Sequence, residues 1–255
     1  MLTSVDINCD IGEGFGSDAE LMRHISSANI ACGFHAGDET AMRRTVGLAI
    51  TNGVAVGAHT GYRDRENFGR TEMNPSRGEV RRLILEQLEA LQAVCGEFGM
   101  RMRHVKPHGA LYNQAARDTK LASAIAEAVA EFDRDLILYG LSGSVSISEA
   151  EKVGLSTASE VFADRTYRSD GTLTPRSRPD AVIFETETLL RQVLDMVKYG
   201  RVRSTDAIMV PIKCETICVH GDGPDDEGFA RLIRERLTFE GVRISSPEQL
   251  TNINY

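Results

Sequence analysis

Short apolar runs recur along this chain, each closing on a charged or imidazole side chain and a glycine turn before a stretch with helical periodicity. The pattern reads VDINCDIGEG at the start, NIACGFHAGD at 29–38, VAVGAHTGY at 54–62, HVKPHGALYN at 104–113, SEVFADRTY at 159–167 and ICVHGDG at 217–223. Apolar runs separated by amphipathic stretches are what buried parallel strands and their crossover helices produce. Strands are predicted at 4–9, 28–33, 54–58, 103–107, 135–140, 157–162 and 215–219, with a weaker eighth run at 208–212 that Pro211 demotes. Helices are predicted between them. Ser17 and Glu20 suit a capping box, as do Ser76 and Glu79 before Val80, Leu83, Ile84, Leu88, Leu91 and Cys95. Gly53 and Gly200 stand where C-cap glycines belong after helices starting near Asp38 and Thr186; residues 119–131 are Ala-rich, and Pro224 suits the first turn of a last helix. The alternation predicts one α/β domain spanning 1–255, a single parallel β/α barrel of seven strands, with an open doubly wound sheet as the alternative that periodicity does not separate.

In such barrels the loops that follow the strands gather on one face. Asp10, His35, His59, Lys106, His108, Glu160, Asp164 and His220 therefore converge in this reading, though they lie far apart in sequence. Two long irregular stretches, 62–79 and 163–185, border the same face, and loops of that length in a compact domain suit a lid or substrate loop.

Composition narrows the class. A 42% hydrophobic and 26% charged chain is an ordinary globule, and a net charge of −8 without a Lys/Arg block argues against a nucleic-acid backbone as partner. No apolar stretch approaches a membrane span, and the N-terminus enters a strand pattern at once, so a cytoplasmic protein is expected. The five cysteines are odd in number and form no CxxC pair, which reads as reduced thiols.

Each cluster of polar strand ends admits more than one role. Asp10 and Glu13 suit acid and base work or a metal, or a turn cap and a solvated carboxylate. Gly12, Gly14 and Gly16 nearly spell a dinucleotide motif, but Ser17 replaces its third glycine. His35 with Asp38, and His59, together with Asp10 make a His/His/Asp set able to bind zinc or another divalent ion, although no HxxxH or HExxH occurs. His104, Lys106 and His108 fall two apart and share one side of a strand. A Lys aimed into a barrel mouth costs desolvation unless an anion meets it, so Lys106 is a candidate for a carboxylate or phosphate, and His104 is read as structural. Arg165 suits a substrate carboxylate or a surface ion pair with Asp164. His220 and Asp222 form an acid/base pair or the N-cap of the last helix. Neither a Walker loop nor a GxSxG elbow is present.

SANIACGFHAGD, GAHTGYRDRENFGR, RHVKPHGALYNQAA, EVFADRTY…DGTLTPRSRP and CVHGDG together resemble the LamB/YcsF family, from residue 5 to about 240. The resemblance implies a seven-stranded barrel of the glycoside hydrolase/deacetylase type. It implies ATP-dependent opening of 5-oxo-L-proline to L-glutamate, with ADP and phosphate as co-products, Mg2+ accompanying ATP, and two partner subunits, B and C. Such a site needs a cation for the substrate carboxylate (Arg165 or Lys106, beside Asp164). It needs acid/base groups (Asp10, Glu13, His35, Asp38, His59, His108 or Glu160) and donors for developing negative charge (Lys106, a His or a metal). The related deacetylases hold a metal on Asp and His side chains, for which Asp10, His35 and His59 are the matching candidates. Two other readings remain: a stand-alone metal-dependent amidohydrolase or deacetylase on the same fold, and a non-catalytic subunit that binds and regulates partners.

Overall fold

The computed structural model describes residues 4–219 and 226–247. Seven parallel strands close into a barrel: β1 (Ser4–Ile11), β2 (Ser27–Ala31), β3 (Ala55–Thr60), β4 (His104–Pro107), β5 (Ile137–Leu141), β6 (Ser156–Phe162) and, after the short β7 (Arg201–Arg203) and β8 (Met209–Pro211), β9 (Thr216–Val219), which pairs with both β6 and β1. The weak run at 208–212 is β8. It pairs antiparallel with β7 outside the barrel, where Pro211 costs no barrel hydrogen bond. A short β10 (Arg243–Ile244) adds to the start of β1.

The helices are α1 (Asp18–Leu21), α2 (Glu39–Asn52), α3 (Arg77–Glu97), α4 (Gly109–Ala115), α5 (Thr119–Phe132), α6 (Val145–Lys152), α7 (Thr186–Tyr199) and α8 (Asp226–Phe239). The capping box at Ser76 and Glu79 forms. The one expected at Ser17 does not: its backbone stays near φ −90°, ψ 4° instead of extended, and its side chain makes no cap bond. Asp18 turns inward instead, toward Gly12 N–H and Arg44. Gly53 and Gly200 end α2 and α7 in the left-handed conformation. Pro224, His220 and Asp222 lie outside the described residues.

The period of two along β1 sorts its residues. Val5, Ile7, Cys9 and Ile11 are buried in the main apolar core, whereas Asp6, Asn8 and Asp10 point into the barrel, where their partners come from across the lumen. Barrel interiors are commonly filled by branched apolar side chains; this lumen is filled by a hydrogen-bonded polar column. At its floor the Asp6 carboxylate accepts from Ser26 (2.6 Å), Ser27 (2.8 Å), Thr216 (2.5 Å) and Tyr139 (3.1 Å). Burial outweighs these bonds and raises its pKa. Above it, Asn8 donates to Thr216 (2.7 Å) and Glu160 (3.0 Å) and accepts from Asn29 (2.8 Å). His104 lies buried beside Asn29 (2.8 Å) with its ring stacked on Tyr139, and burial takes its pKa down to about 3. The structural reading of His104 holds. Gly57 makes room for it: a Cβ there would meet the imidazole at 2.2 Å.

Candidate active site

The polar column opens at the C-terminal ends of the strands, and the expected side chains gather there. Asp10 ends the inward row of β1, His59 comes from β3, Lys106 from β4 and Glu160 from β6, while His35 and His108 stand in the turns after β2 and β4. All except Asp10 are buried, and Asp10 retains 15% side-chain exposure, enough to meet a ligand.

Lys106 is the hub of the lower half. Its ammonium lies 2.9 Å from both Asp10 and Glu160, 3.2 Å from Asn8 Oδ1 and 3.1 Å from Cys218 Sγ. Burial alone would discharge it, but the facing carboxylates of Asp10 and Glu160 prevail and push its pKa well above the lysine range. Asp10 Oδ1 also accepts from Asn29 at 2.8 Å. Burial would raise the Asp10 carboxyl too, yet His59 and Lys106 hold it well below the usual range, so it stays ionised.

The upper half is a knot of imidazoles. His59 Nδ1 faces the Lys106 carbonyl at 2.9 Å, and its Nε2 faces His108 Nδ1 at 2.9 Å and Asp10 Oδ2 at 3.2 Å. His108 Nε2 faces the Phe68 carbonyl at 2.8 Å. His35 stacks on His108 with centroids 3.8 Å apart and reaches Glu13 at 3.1 Å. Burial pushes His108 to about 2 and His35 well below its ordinary value, and raises Glu13.

Three features hold this knot in place. Gln87 of α3, buried in an otherwise apolar stripe, grips both backbone polar groups of Gly61, just after His59 (2.9 and 3.0 Å). A Cβ at Gly69 would stand 2.8 Å from His35 and 3.0 Å from His108. Phe68 sits at φ 55°, a left-handed conformation that costs a non-glycine residue on the order of 1–3 kcal/mol. There its carbonyl meets His108, and its ring edges against His35, His108 and Phe15.

Some expected site residues do other work. Asp38 is exposed and caps α2 by accepting from Ala41 N–H at 2.8 Å. The Arg165 side chain is buried, and its guanidinium donates to the carbonyls of Ala181 (3.1 Å) and Thr174 (2.5 Å), so it staples the 163–185 loop. Asp164 is half-buried beside it, and its carbonyl accepts from Ile183 N–H. Lys106, with carboxylates on two sides, is committed to the column rather than offered to a substrate carboxylate. Sequence reasoning missed Asn8 and Asn29, which the period of two along β1 and β2 could have found, and Phe68, whose role rests on backbone conformation. It also missed Arg65 and Arg70, whose charges reach His35 from the 62–79 loop.

The comparisons fit this geometry. A family model described as "LamB/YcsF family" matches residues 5–252. A relative from Staphylococcus carnosus, described as the A subunit of 5-oxoprolinase, is 51% identical over 246 residues, covering 94% of this chain and 98% of its own. The crystal structure of a lactam utilization protein from Thermus thermophilus superposes with a TM-score of 0.89 at 43% identity, over 95% of this chain and 99% of that one. The peptidoglycan deacetylase PdaC of Bacillus subtilis shares the fold at a TM-score of 0.53 and 13% identity, over 98% and 91% of the two chains. Among the described residues no helix is long and apolar enough to cross a membrane.

Proposed function

The chain belongs to the LamB/YcsF family, and on that premise we propose that it is the A subunit of an ATP-dependent 5-oxoprolinase, acting with subunits B and C. The reaction is 5-oxo-L-proline, ATP and water to L-glutamate, ADP and phosphate. The observation that carries this reading is the ionised Asp10, fixed by Lys106 and Asn29 in a largely water-excluded mouth. The need for ATP follows from the substrate. A five-membered lactam keeps its amine and acyl carbon in one molecule, so closure has a proximity advantage over hydrolysis. ATP, with Mg2+, supplies the phosphoryl group that activates the lactam oxygen.

The chain's own residues then have distinct tasks. Asp10 Oδ2 takes the proton from the attacking water, while Oδ1 stays anchored by Lys106 and Asn29. Lys106 keeps that carboxylate charged and still. Phe15 and Phe68, ring edge to ring face at 5.7 Å, offer an apolar wall for the methylenes of the ring. Arg70, exposed with its guanidinium 5.0 Å from the Phe68 ring, meets the substrate carboxylate. With no Walker loop in this sequence, nucleotide binding is assigned to the assembled enzyme rather than to this chain alone.

The test is reconstitution. The purified chain should release little or no glutamate from 5-oxoproline with or without ATP, and adding subunits B and C should give ATP-coupled release. Rapid, ATP-independent turnover by the chain alone, abolished by a chelator, would favour the stand-alone amidohydrolase.

A further inference from the structure

Two ring nitrogens in the mouth face each other with their lone pairs. A backbone carbonyl only accepts, so His59 Nδ1, 2.9 Å from the Lys106 carbonyl, carries the ring hydrogen. With that one hydrogen placed, Nε2 of His59 is left bare for a positive charge to occupy. The same logic at His108, whose Nε2 lies 2.8 Å from the Phe68 carbonyl, leaves Nδ1 bare. These two atoms are 2.9 Å apart. Placing two acceptors at that distance requires something positive to share.

The other atoms around this point are also donors of electron pairs. Glu13 Oε1 lies 3.4 Å from His108 Nδ1, 3.7 Å from His59 Nε2 and 3.1 Å from His35 Nε2. One ligand atom from each of Glu13, His35, His59 and His108 falls within 4.8 Å of the rest. Ligands about 2.0–2.1 Å from a tetrahedral zinc ion stand about 3.3 Å from one another, and the His59–His108, Glu13–His35, Glu13–His108 and Glu13–His59 separations of 2.9, 3.1, 3.4 and 3.7 Å lie about that edge. Binding one imidazole N–H to a backbone carbonyl is also how proteins orient histidines that ligate metals.

We propose that Glu13, His35, His59 and His108 hold a divalent cation of the nitrogen-preferring transition-metal class, zinc being the best match, and that Asp10 is not among its ligands. The deacetylase-like set of Asp10, His35 and His59 is thereby redrawn. Asp10 Oδ1 is spent on Lys106 and Asn29; its Oδ2 faces His59 Nε2 at 3.2 Å, but Asp10 falls outside the group of ligand atoms that lie within 4.8 Å of one another, and the place of a carboxylate ligand passes to Glu13. The strained Phe68 holds the outer carbonyl that orients His108. The site does not depend on which reaction the mouth performs.

The experiment reads metal rather than turnover. The full-length chain is stripped with a chelator and titrated with Zn2+, and bound metal is counted by elemental analysis alongside calorimetry and thermal unfolding. One equivalent should bind, with a rise in the unfolding midpoint. His108→Ala and the milder Glu13→Gln should each weaken binding at least tenfold, with circular dichroism confirming that they fold, while Asp10→Asn should retain it. Failure to bind one equivalent would overturn the proposal. Loss of binding in Asp10→Asn but not in Glu13→Gln would also overturn it, by returning the ion to Asp10.

Discussion

Replacing Lys106 with Met tests the polar column at its hub. Lys106 is 3% exposed and Glu160 is fully buried, and the two lie 2.9 Å apart, with Asp10 at the same distance on the other side. Methionine fills similar space but strands both carboxylates. Breaking a buried ion pair from one side costs about 3–5 kcal/mol, because a charge is left uncompensated. At roughly 2–4 °C per kcal/mol for a chain of this size, the unfolding midpoint should fall by about 6–20 °C.

The pH dependence of the loss has a definite sign. In the native chain Asp10 is held low, so its stabilisation is complete above the ordinary carboxylate pKa of about 4 and is lost only as pH falls through its lowered value. Lys106 is raised, so its contribution is complete below about pH 10 and is lost only above that. Both are present at pH 7. In the variant Asp10 keeps its burial but loses the Lys106 charge that helps hold it low, so the deficit should grow as pH rises through the carboxylate range. Adding Glu160→Gln to Lys106→Met should recover about 1–3 kcal/mol of coupling. Urea denaturation at several pH values measures all of this. A deficit under about 1 kcal/mol at pH 7, or no recovery in the double variant, would refute the view that these charges stabilise one another.

Three further outcomes follow from the geometry. Gly57→Ala should cost about 1–3 kcal/mol or more in thermal unfolding, since its Cβ would overlap the buried His104 ring; unchanged stability would mean that His104 is free to move. Gln87→Leu should destabilise by about 1–3 kcal/mol by leaving both backbone polar groups of Gly61 unpaired, and a near-neutral result in denaturation would show that water replaces it. Arg70→Ala should raise KM for 5-oxoproline in the assembled enzyme while barely changing the unfolding midpoint; an unchanged KM would remove Arg70 from the substrate site.

The barrel was legible because its seven strands are apolar runs cut by glycine turns, and the mouth because titratable residues end those runs. The register of β1 with β2 and of β3 with β4 places Asp10 by Asn29 and His59 by Lys106, which gathers side chains far apart in sequence. The lumen was harder to read. Asp6, Asn8 and Asn29 look like polar interruptions of apolar strands, and their meaning depends on partners such as Thr216, 210 residues from Asp6. Arg165 and Asp38 show the reverse limit: an Arg after a strand and an Asp before a helix suit a ligand as well as a loop staple and a helix cap, and only contacts choose between them. Phe68 gave no signal, because its part depends on a positive φ.

The most direct test of the central claim is single-turnover glutamate formation by the enzyme assembled with subunits B and C, comparing the native chain with Asp10→Asn. General-base groups contribute about 10²–10⁴-fold, so the variant, still assembled and folded, should be slower by at least about a hundredfold. Turnover within a few-fold of native would place the chemistry elsewhere than at this barrel mouth.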